Sequence, residues 1–214
     1  MQYTLTIRDG FEDEQSSLLK GDMKYFAIVI DLNGKLEKLA REAWHLLKEC
    51  LSINFISTNS PCPHITLESG FYGNQNSALA VINEVASKTA PFSITANGLG
   101  VFICESPVVH IRWINNDSLF NLRQMFMMKL SEQTSEAPHS PIAGYQSNVD
   151  WLPKTTLAYN DTSIDTLSET LRVLRPLIFN GSLEVKELTL YEYSDGNPEK
   201  QLDTVSLGKR RNMD

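Results

Sequence analysis

The segment PHITL at residues 63–67 returns 90 positions later as PKTTL at residues 153–157. Both segments carry the alternation of a β-strand, in which side chains at i and i+2 point to the same face. His64 and Thr66 are therefore predicted to project together, and Lys154 is predicted to project with Thr156. Two such pairs facing one cleft would present an imidazole, an ammonium and two hydroxyls. This set suits a phosphodiester, because hydroxyls donate to non-bridging oxygens and titratable groups transfer protons.

The pattern around these two segments is repeated as well. In the first half the sequence predicts strands at 24–31, 64–67 and 92–103, with apolar helix stripes at 36–51 and 78–86. In the second half it predicts strands at 108–114, 151–159 and 183–193, helix stripes at 119–130 and 164–174, and an extra edge strand at 204–207. Spacings of three and four residues mark the helices. Asp117 or Ser118 is the expected N-cap of the third helix, and Pro176 is expected to end the fourth.

The last long strand region of each half shifts its alternation at a matching place. Apolar residues change phase between Ala96 and Leu99, and again between Val185 and Leu188, 89 positions later. A β-bulge produces such a shift. The prediction is an α+β fold of two duplicated β-α-β-α-β half-units, each with an antiparallel sheet covered by two helices, around a central cleft.

The expected organisation is an N-terminal segment at 1–23, one bilobal domain at 24–207 and a C-terminal tail at 208–214. Within the domain, the first repeat covers 24–107 and the second covers 108–207.

Composition excludes several classes of protein. The chain has 214 residues, 42% hydrophobic and 21% charged, which is typical of a globular protein. No apolar run approaches the roughly 20 residues that span a bilayer, and the first 25 residues lack a secretory apolar region. A net charge of −7 argues against an extended nucleic-acid surface. The three cysteines are expected to be reduced thiols of a cytoplasmic protein.

From about residue 24 to residue 193 the chain resembles the 2H phosphoesterase superfamily, which includes 2′-5′ RNA ligases and cyclic phosphodiesterases. The stretches that carry the resemblance are FAIVI, PCPHITL, PFSITANGLGVF, VVHIRW and WLPKTTLAY, in the order usual for that family. The resemblance implies two lobes around a groove, two His-x-Thr motifs, no metal and no cofactor. It also implies activity on 2′,3′-cyclic phosphates or 2′-5′ linkages of nucleotides and RNA ends.

The second motif departs from the family, because Lys154 stands where the second histidine is expected. Two further departures are Ser69, where an aromatic residue often follows the first motif, and Tyr159, where a basic residue often follows the second. A histidine with a pKa near 6.5 can donate or accept a proton near neutrality, whereas an exposed lysine with a pKa near 10.4 stays protonated. His64 is therefore predicted to be the base and Lys154 the acid, which favours hydrolysis over ligation.

Other residues near the motifs give weaker hypotheses. Phe71, Tyr72 and Tyr159 are candidates for contact with a nucleobase, although core packing explains each one as well. His139, in a loop before the second motif, could replace the missing imidazole. Cys62 and His64 could form a nucleophilic pair. The remaining histidines, His45 and His110, are expected to be structural or on the surface.

Two further functions stay open beside a phosphoesterase with impaired activity. The cleft could bind a nucleotide or an RNA-end phosphate without turning it over, or the fold could serve as a scaffold whose cleft is vestigial. Protein partners are not predicted by the sequence.

Overall fold

The computed structural model describes residues 24–73, 75–133, 151–194 and 197–208. Within these ranges the chain forms eight β-strands and five α-helices. The strands are β1 (Lys24–Asp31), β2 (His64–Gly73), β3 (Phe92–Phe102), β4 (Val108–Ile114), β5 (Lys154–Ala158), β6 (Asn180–Val185), β7 (Glu187–Ser194) and β8 (Asn197–Ser206). The helices are α1 (Gly34–Leu51), α2 (Phe55–Asn59), α3 (Gln75–Lys88), α4 (Asp117–Gln133) and α5 (Ile164–Leu174).

The strands form two antiparallel four-stranded sheets. The first sheet has the order β2-β1-β7-β8 and the second has the order β5-β4-β3-β6. The α+β fold with antiparallel sheets and packed helices is therefore confirmed. The expectation that each half forms its own sheet is wrong, because the first sheet takes β7 and β8 from the second half and the second sheet takes β3 from the first half.

The exchange of strands between the two halves follows from the pairing of β3 with β6, which come from the last long strand region of each half. β3 pairs with β6 in antiparallel register, with Ile94 opposite Leu183. These two residues occupy equivalent places in the duplicated pattern, 89 positions apart. Beyond this pair β3 contains a bulge at which Gly98 adopts a φ of 75°, a conformation that glycine tolerates. The predicted bulge is confirmed there, but in the second half the shift falls at the break between β6 and β7, where the chain changes sheets.

One hydrophobic core lies on the helix side of both sheets. Ile65 and Leu67 of β2 belong to it together with Val109 and Ile111 of β4. Helix α1 contacts β5 and α5, whereas α4 contacts β2 and α3. Each half therefore supplies a helix that supports the motif strand of the other half, and both motif strands rest on one continuous core.

Several details of the elements differ from the sequence prediction. Between the predicted helix stripe at 36–51 and the predicted strand at 64–67, the chain forms the short helix α2, which the sequence did not predict. The N-cap of α4 is Asn116, because its side-chain oxygen accepts a hydrogen bond from the Leu119 amide at 2.9 Å. The edge strand β8 is confirmed and is longer than predicted. No helix in the described ranges is long and apolar enough to cross a membrane.

Candidate active site

The two motifs lie on edge strands of different sheets, and these strands are neighbours. Cα atoms of β2 and β5 come within 8 Å of one another. Ile65 and Leu67 are buried in the core, whereas His64 and Thr66 are only half-buried and point to the opposite side. We call the side of the two sheets that faces away from the helices the site face.

The second motif is oriented in the same way. Thr155 and Leu157 are buried toward the core, and Lys154 and Thr156 are half-buried on the site face. The buried Thr155 hydroxyl accepts a hydrogen bond from Trp113 Nε1 at 3.0 Å, which ties β5 to β4. Each motif therefore turns its own pair of side chains away from the core, as the alternation predicted.

His64 has one defined tautomer. Its Nδ1 lies 3.0 Å from the backbone carbonyl oxygen of Cys62. Because a carbonyl only accepts, Nδ1 carries the proton and Nε2 keeps a lone pair. Burial lowers the pKa of His64 below 6.5, and the charge of Lys154 lowers it further, while the Cys62 carbonyl and Asp31 act in the opposite direction. The imidazole is thus a neutral acceptor at pH 7, with Lys154 close enough to influence it.

Lys154 differs from the exposed lysine that the sequence suggested. Burial lowers the pKa of Lys154 below its ordinary value of 10.5, because the charged ammonium loses hydration. Its Nζ lies 6.0 Å from the centre of the Phe102 ring. A lowered pKa makes Lys154 a stronger acid than a lysine in water, and therefore a better proton donor to a leaving oxygen.

A network of hydrogen bonds surrounds the carboxylate of Asp31, at the end of β1. Cys62 Sγ donates to Asp31 Oδ1 at 2.9 Å, and Thr189 Oγ1 donates to Oδ2 at 2.7 Å. The Tyr191 hydroxyl lies 3.1 Å from Cys62 Sγ and 3.5 Å from both carboxylate oxygens. In the β1–β2 pairing, Asp31 is opposite His64. Sequence analysis missed this network, whose members come from three separate parts of the chain.

The environment of Cys62 argues against a nucleophilic cysteine. Burial, followed by the hydrogen bond to Asp31, raises the pKa of Cys62 to about 12. The thiolate is the nucleophilic form of cysteine, so a thiol that stays protonated is inert. Cys62 serves instead as a donor to Asp31.

His110 was expected to be structural or on the surface, and the structure buries it, with the residue 3% exposed. It nevertheless lies on the site face, where β4 places it opposite Thr156 and β3 places Gly100 on its other side. Its ring packs 4.4 Å from the Phe102 ring. Burial lowers the pKa of His110 to about 4, so it is neutral at pH 7. Its Nε2 would lie 2.4 Å from a Cβ added at Gly100, which shows that the ring fills the space that a glycine leaves.

The remaining predicted residues are placed differently. Tyr159 is 38% exposed and follows β5, where its ring meets Phe55 edge-on at a centroid distance of 6.2 Å. Next to it, Asp161 Oδ2 accepts hydrogen bonds from the backbone amides of Asn54 and Phe55 at 2.6 and 2.7 Å. This contact joins α2 to the loop after β5.

The side chains of Phe71 and Tyr72, and all of His139, lie outside the described residues. Across the described part of the chain, no group of three or more His, Cys, Asp or Glu side chains is arranged to hold a metal ion.

Comparison with known families assigns the chain to one of them. The sequence profile of the 2′-5′ RNA ligase superfamily matches residues 37–197, which is more than half of the chain. The chain belongs to the 2′-5′ RNA ligase superfamily. A search of curated proteins found no sequence that matches this chain.

Solved structures share the fold of this superfamily member at low sequence identity. TT0787 of Thermus thermophilus is 19% identical, with a TM-score of 0.63 over 87% of this chain and 100% of that protein. Escherichia coli LigT in its apo form is 16% identical, with a TM-score of 0.52 over 87% of this chain and 99% of LigT. LigT complexed with 3′-AMP gives 19% identity and a TM-score of 0.52, over 88% of this chain and 100% of LigT.

Proposed function

We propose that this protein is a phosphoesterase that hydrolyses a 2′,3′-cyclic phosphate or a 2′-5′ phosphodiester of a nucleotide or RNA end. The observation that carries the proposal is that the two motif strands are neighbours and that the charge of Lys154 acts on His64, with a threonine half-buried beside each of them. The proposal assigns the base to His64 and the acid to Lys154, with Thr66 and Thr156 as donors to the phosphate oxygens.

The base is ready to accept a proton in this arrangement. The Cys62 carbonyl holds the proton on Nδ1, so the Nε2 lone pair of His64 is available to water. Water attacks phosphorus while His64 takes its proton, and the bond between phosphorus and the ribose oxygen breaks. The two threonine hydroxyls donate to the non-bridging oxygens, whose negative charge grows in the transition state.

The acid completes the reaction on the other side of the phosphorus. Lys154 gives its proton to the departing ribose oxygen, and its lowered pKa makes that transfer easier. A lysine is still a weaker acid than an imidazolium, so turnover is expected to be slower than with two histidines. Burial also moves Lys154 toward the neutral form that ligation would need, and ligation should therefore be assayed beside hydrolysis.

The ligand class is a nucleotide or RNA-end phosphate. E. coli LigT, which shares the fold, is known in a complex with 3′-AMP. We further propose that the nucleoside is contacted by Phe71, Tyr72, Tyr159 or His139. Residues 24–207 form one domain of two repeats, and the protein acts in the cytoplasm. The three cysteines, which form no disulfide, are consistent with a reducing compartment.

Turnover of 2′,3′-cyclic nucleotides tests the proposal. His64→Ala is expected to reduce kcat by about 10²- to 10⁴-fold, the contribution of one general acid–base group. Lys154→His is expected to raise kcat near neutral pH, because an imidazolium is the stronger acid. His45→Ala is the matched control, since His45 is an exposed histidine on α1 and should leave turnover unchanged.

The wild type and the two site variants, His64→Ala and Lys154→His, distinguish the proposed enzyme from a receptor. Tight binding of a cyclic nucleotide without turnover, in the wild type and in both site variants, would indicate a nucleotide-binding protein that uses Lys154 as a cation. Absence of both binding and turnover would leave only a scaffold. An active wild type that His64→Ala does not weaken would show that His64 is not the base.

A further inference from the structure

The surroundings of His64 contain a carboxylate that the proposed reaction has not yet used. Four groups act on the imidazole: the Cys62 carbonyl, Asp31 of β1, Lys154 of β5 and the ring of Tyr191 on β7. Asp31 is the one anion among them. It lies directly across the β1–β2 pairing from His64, on the site face.

We infer that Asp31 is a positioning residue for His64, which it serves by anchoring Cys62 and by stabilising the imidazolium that forms during the reaction. This inference rests on the proposed function, in which His64 accepts the proton of water. It assigns Asp31 no contact with the substrate.

The anchoring role follows from the two contacts that Cys62 makes. Its thiol donates to Asp31 Oδ1 at 2.9 Å, and its carbonyl oxygen accepts from His64 Nδ1 at 3.0 Å. Because the pKa of Cys62 is raised to about 12, the thiol remains a donor throughout the physiological range. Fixing the Cys62 side chain therefore fixes the carbonyl that selects the tautomer of His64.

The electrostatic role follows from the charge of Asp31. When His64 takes a proton, a cation forms next to Lys154, and the charge of Lys154 disfavours that cation. The negative charge of Asp31 opposes this effect, since a nearby opposite charge stabilises the protonated form. Asp31 keeps its contact with Cys62 through Oδ1, while its other oxygen, Oδ2, accepts from Thr189 Oγ1 at 2.7 Å.

The second half of the fold has the opposite charge at the equivalent position. There the residue directly across from Lys154 is Arg112. An anion thus lies across from the group that gains a proton, and a cation lies across from the group that loses one, so the two halves differ in charge at this position. The duplication alone would have made them equivalent.

Nuclear magnetic resonance titration of the histidine rings tests the inference without requiring turnover. In the wild type, His64 is expected to show the Nδ1–H tautomer, and its signals are assigned by their loss in His64→Ala. Asp31→Asn is expected to lower the pKa of His64, because the carboxylate charge is removed while the size of the side chain is kept. In kinetics the same variant should lose about 10- to 100-fold in kcat/KM. This is the range found in metalloenzymes when the carboxylate that supports a metal-bound histidine is removed.

Two controls separate positioning from general damage to the fold. Thr189→Val removes a neighbouring donor but leaves the Asp31 charge and the Cys62 contact, and Cys62→Ser keeps a donor to Asp31. Both should leave the pKa of His64 close to that of the wild type. An unchanged pKa of His64 in a folded Asp31→Asn variant would overturn the inference, as would an equal fall in Thr189→Val.

Turnover and the titration of His64 test the proposed function and the positioning role separately. Absence of turnover in the wild type would refute the proposed function while leaving the titration of His64 readable. An active wild type with an unaltered His64 titration in Asp31→Asn would refute the positioning role alone.

Discussion

The hydrogen bond between Trp113 and Thr155 connects core packing to the second motif, and its removal gives a sharp prediction. Trp113 Nε1 donates to Thr155 Oγ1 at 3.0 Å, and these residues are 3% and 1% exposed. Thr155→Val replaces the hydroxyl with a methyl group of similar size, so the main change is a buried indole N–H without its acceptor. Such an unsatisfied donor costs about 1–3 kcal/mol of unfolding free energy.

The cost can be measured by urea unfolding and by thermal denaturation. For a chain of this length each kcal/mol corresponds to a fall in Tm of about 2–4 °C. Thr155→Ser is the matched control, since it keeps an acceptor and loses only a methyl group. The variant Trp113→Phe, alone and combined with Thr155→Val, completes a double-mutant cycle with an expected coupling of about 1 kcal/mol. If Thr155→Val is as stable as the wild type, or if the cycle shows no coupling, the bond does not support β5 as described.

Three further predictions concern proton transfer, close packing and helix capping. The kcat/KM of the wild type should rise with pH through the pKa of His64, which lies below 6.5, and fall through that of Lys154, which lies below 10.5. Lys154→His should move the falling limb toward about pH 6.5, and an unmoved limb would show that Lys154 is not the acid. Gly100→Ala should lower the free energy of unfolding in urea by about 1–3 kcal/mol, because its Cβ would lie 2.4 Å from His110 Nε2. Adding His110→Ala should restore much of this loss. A Gly100→Ala variant as stable as the wild type would contradict this packing. Asn116→Ala should lower stability by about 1 kcal/mol in thermal denaturation, and no change would mean that its side chain does not cap α4.

Much of the architecture could be predicted because its signals are local. Helix stripes predicted α1, α3, α4 and α5, and alternating apolar residues predicted most of the strands. The same alternation predicted that Lys154 and Thr156 would point to one face, and the structure buries Thr155 and Leu157 on the other. These features depend on residues within a few positions of one another, which a sequence displays directly.

The errors concern pairing between distant segments. The region 183–193 looked like one strand with a bulge, yet it forms β6 in one sheet and β7 in the other. The pattern contained the shift of phase but not the identity of the partner strands. Likewise, α2 was missed because its five residues are too few to show a helical period. Asp161, whose carboxylate accepts a hydrogen bond from the Phe55 amide at the start of α2, lies 106 positions further along the chain.

The sequence by itself determined the duplicated order of elements, the alternation that pairs His64 with Thr66, and the replacement of a histidine by Lys154. Only the tertiary structure decided that Asp31 lies across from His64 and that His110 lies beside Thr156. It also decided that Lys154 is half-buried, which lowers its pKa. The reason is physical: the direction of a side chain along a strand follows from local backbone geometry, whereas strand register and burial result from the packing of the whole chain.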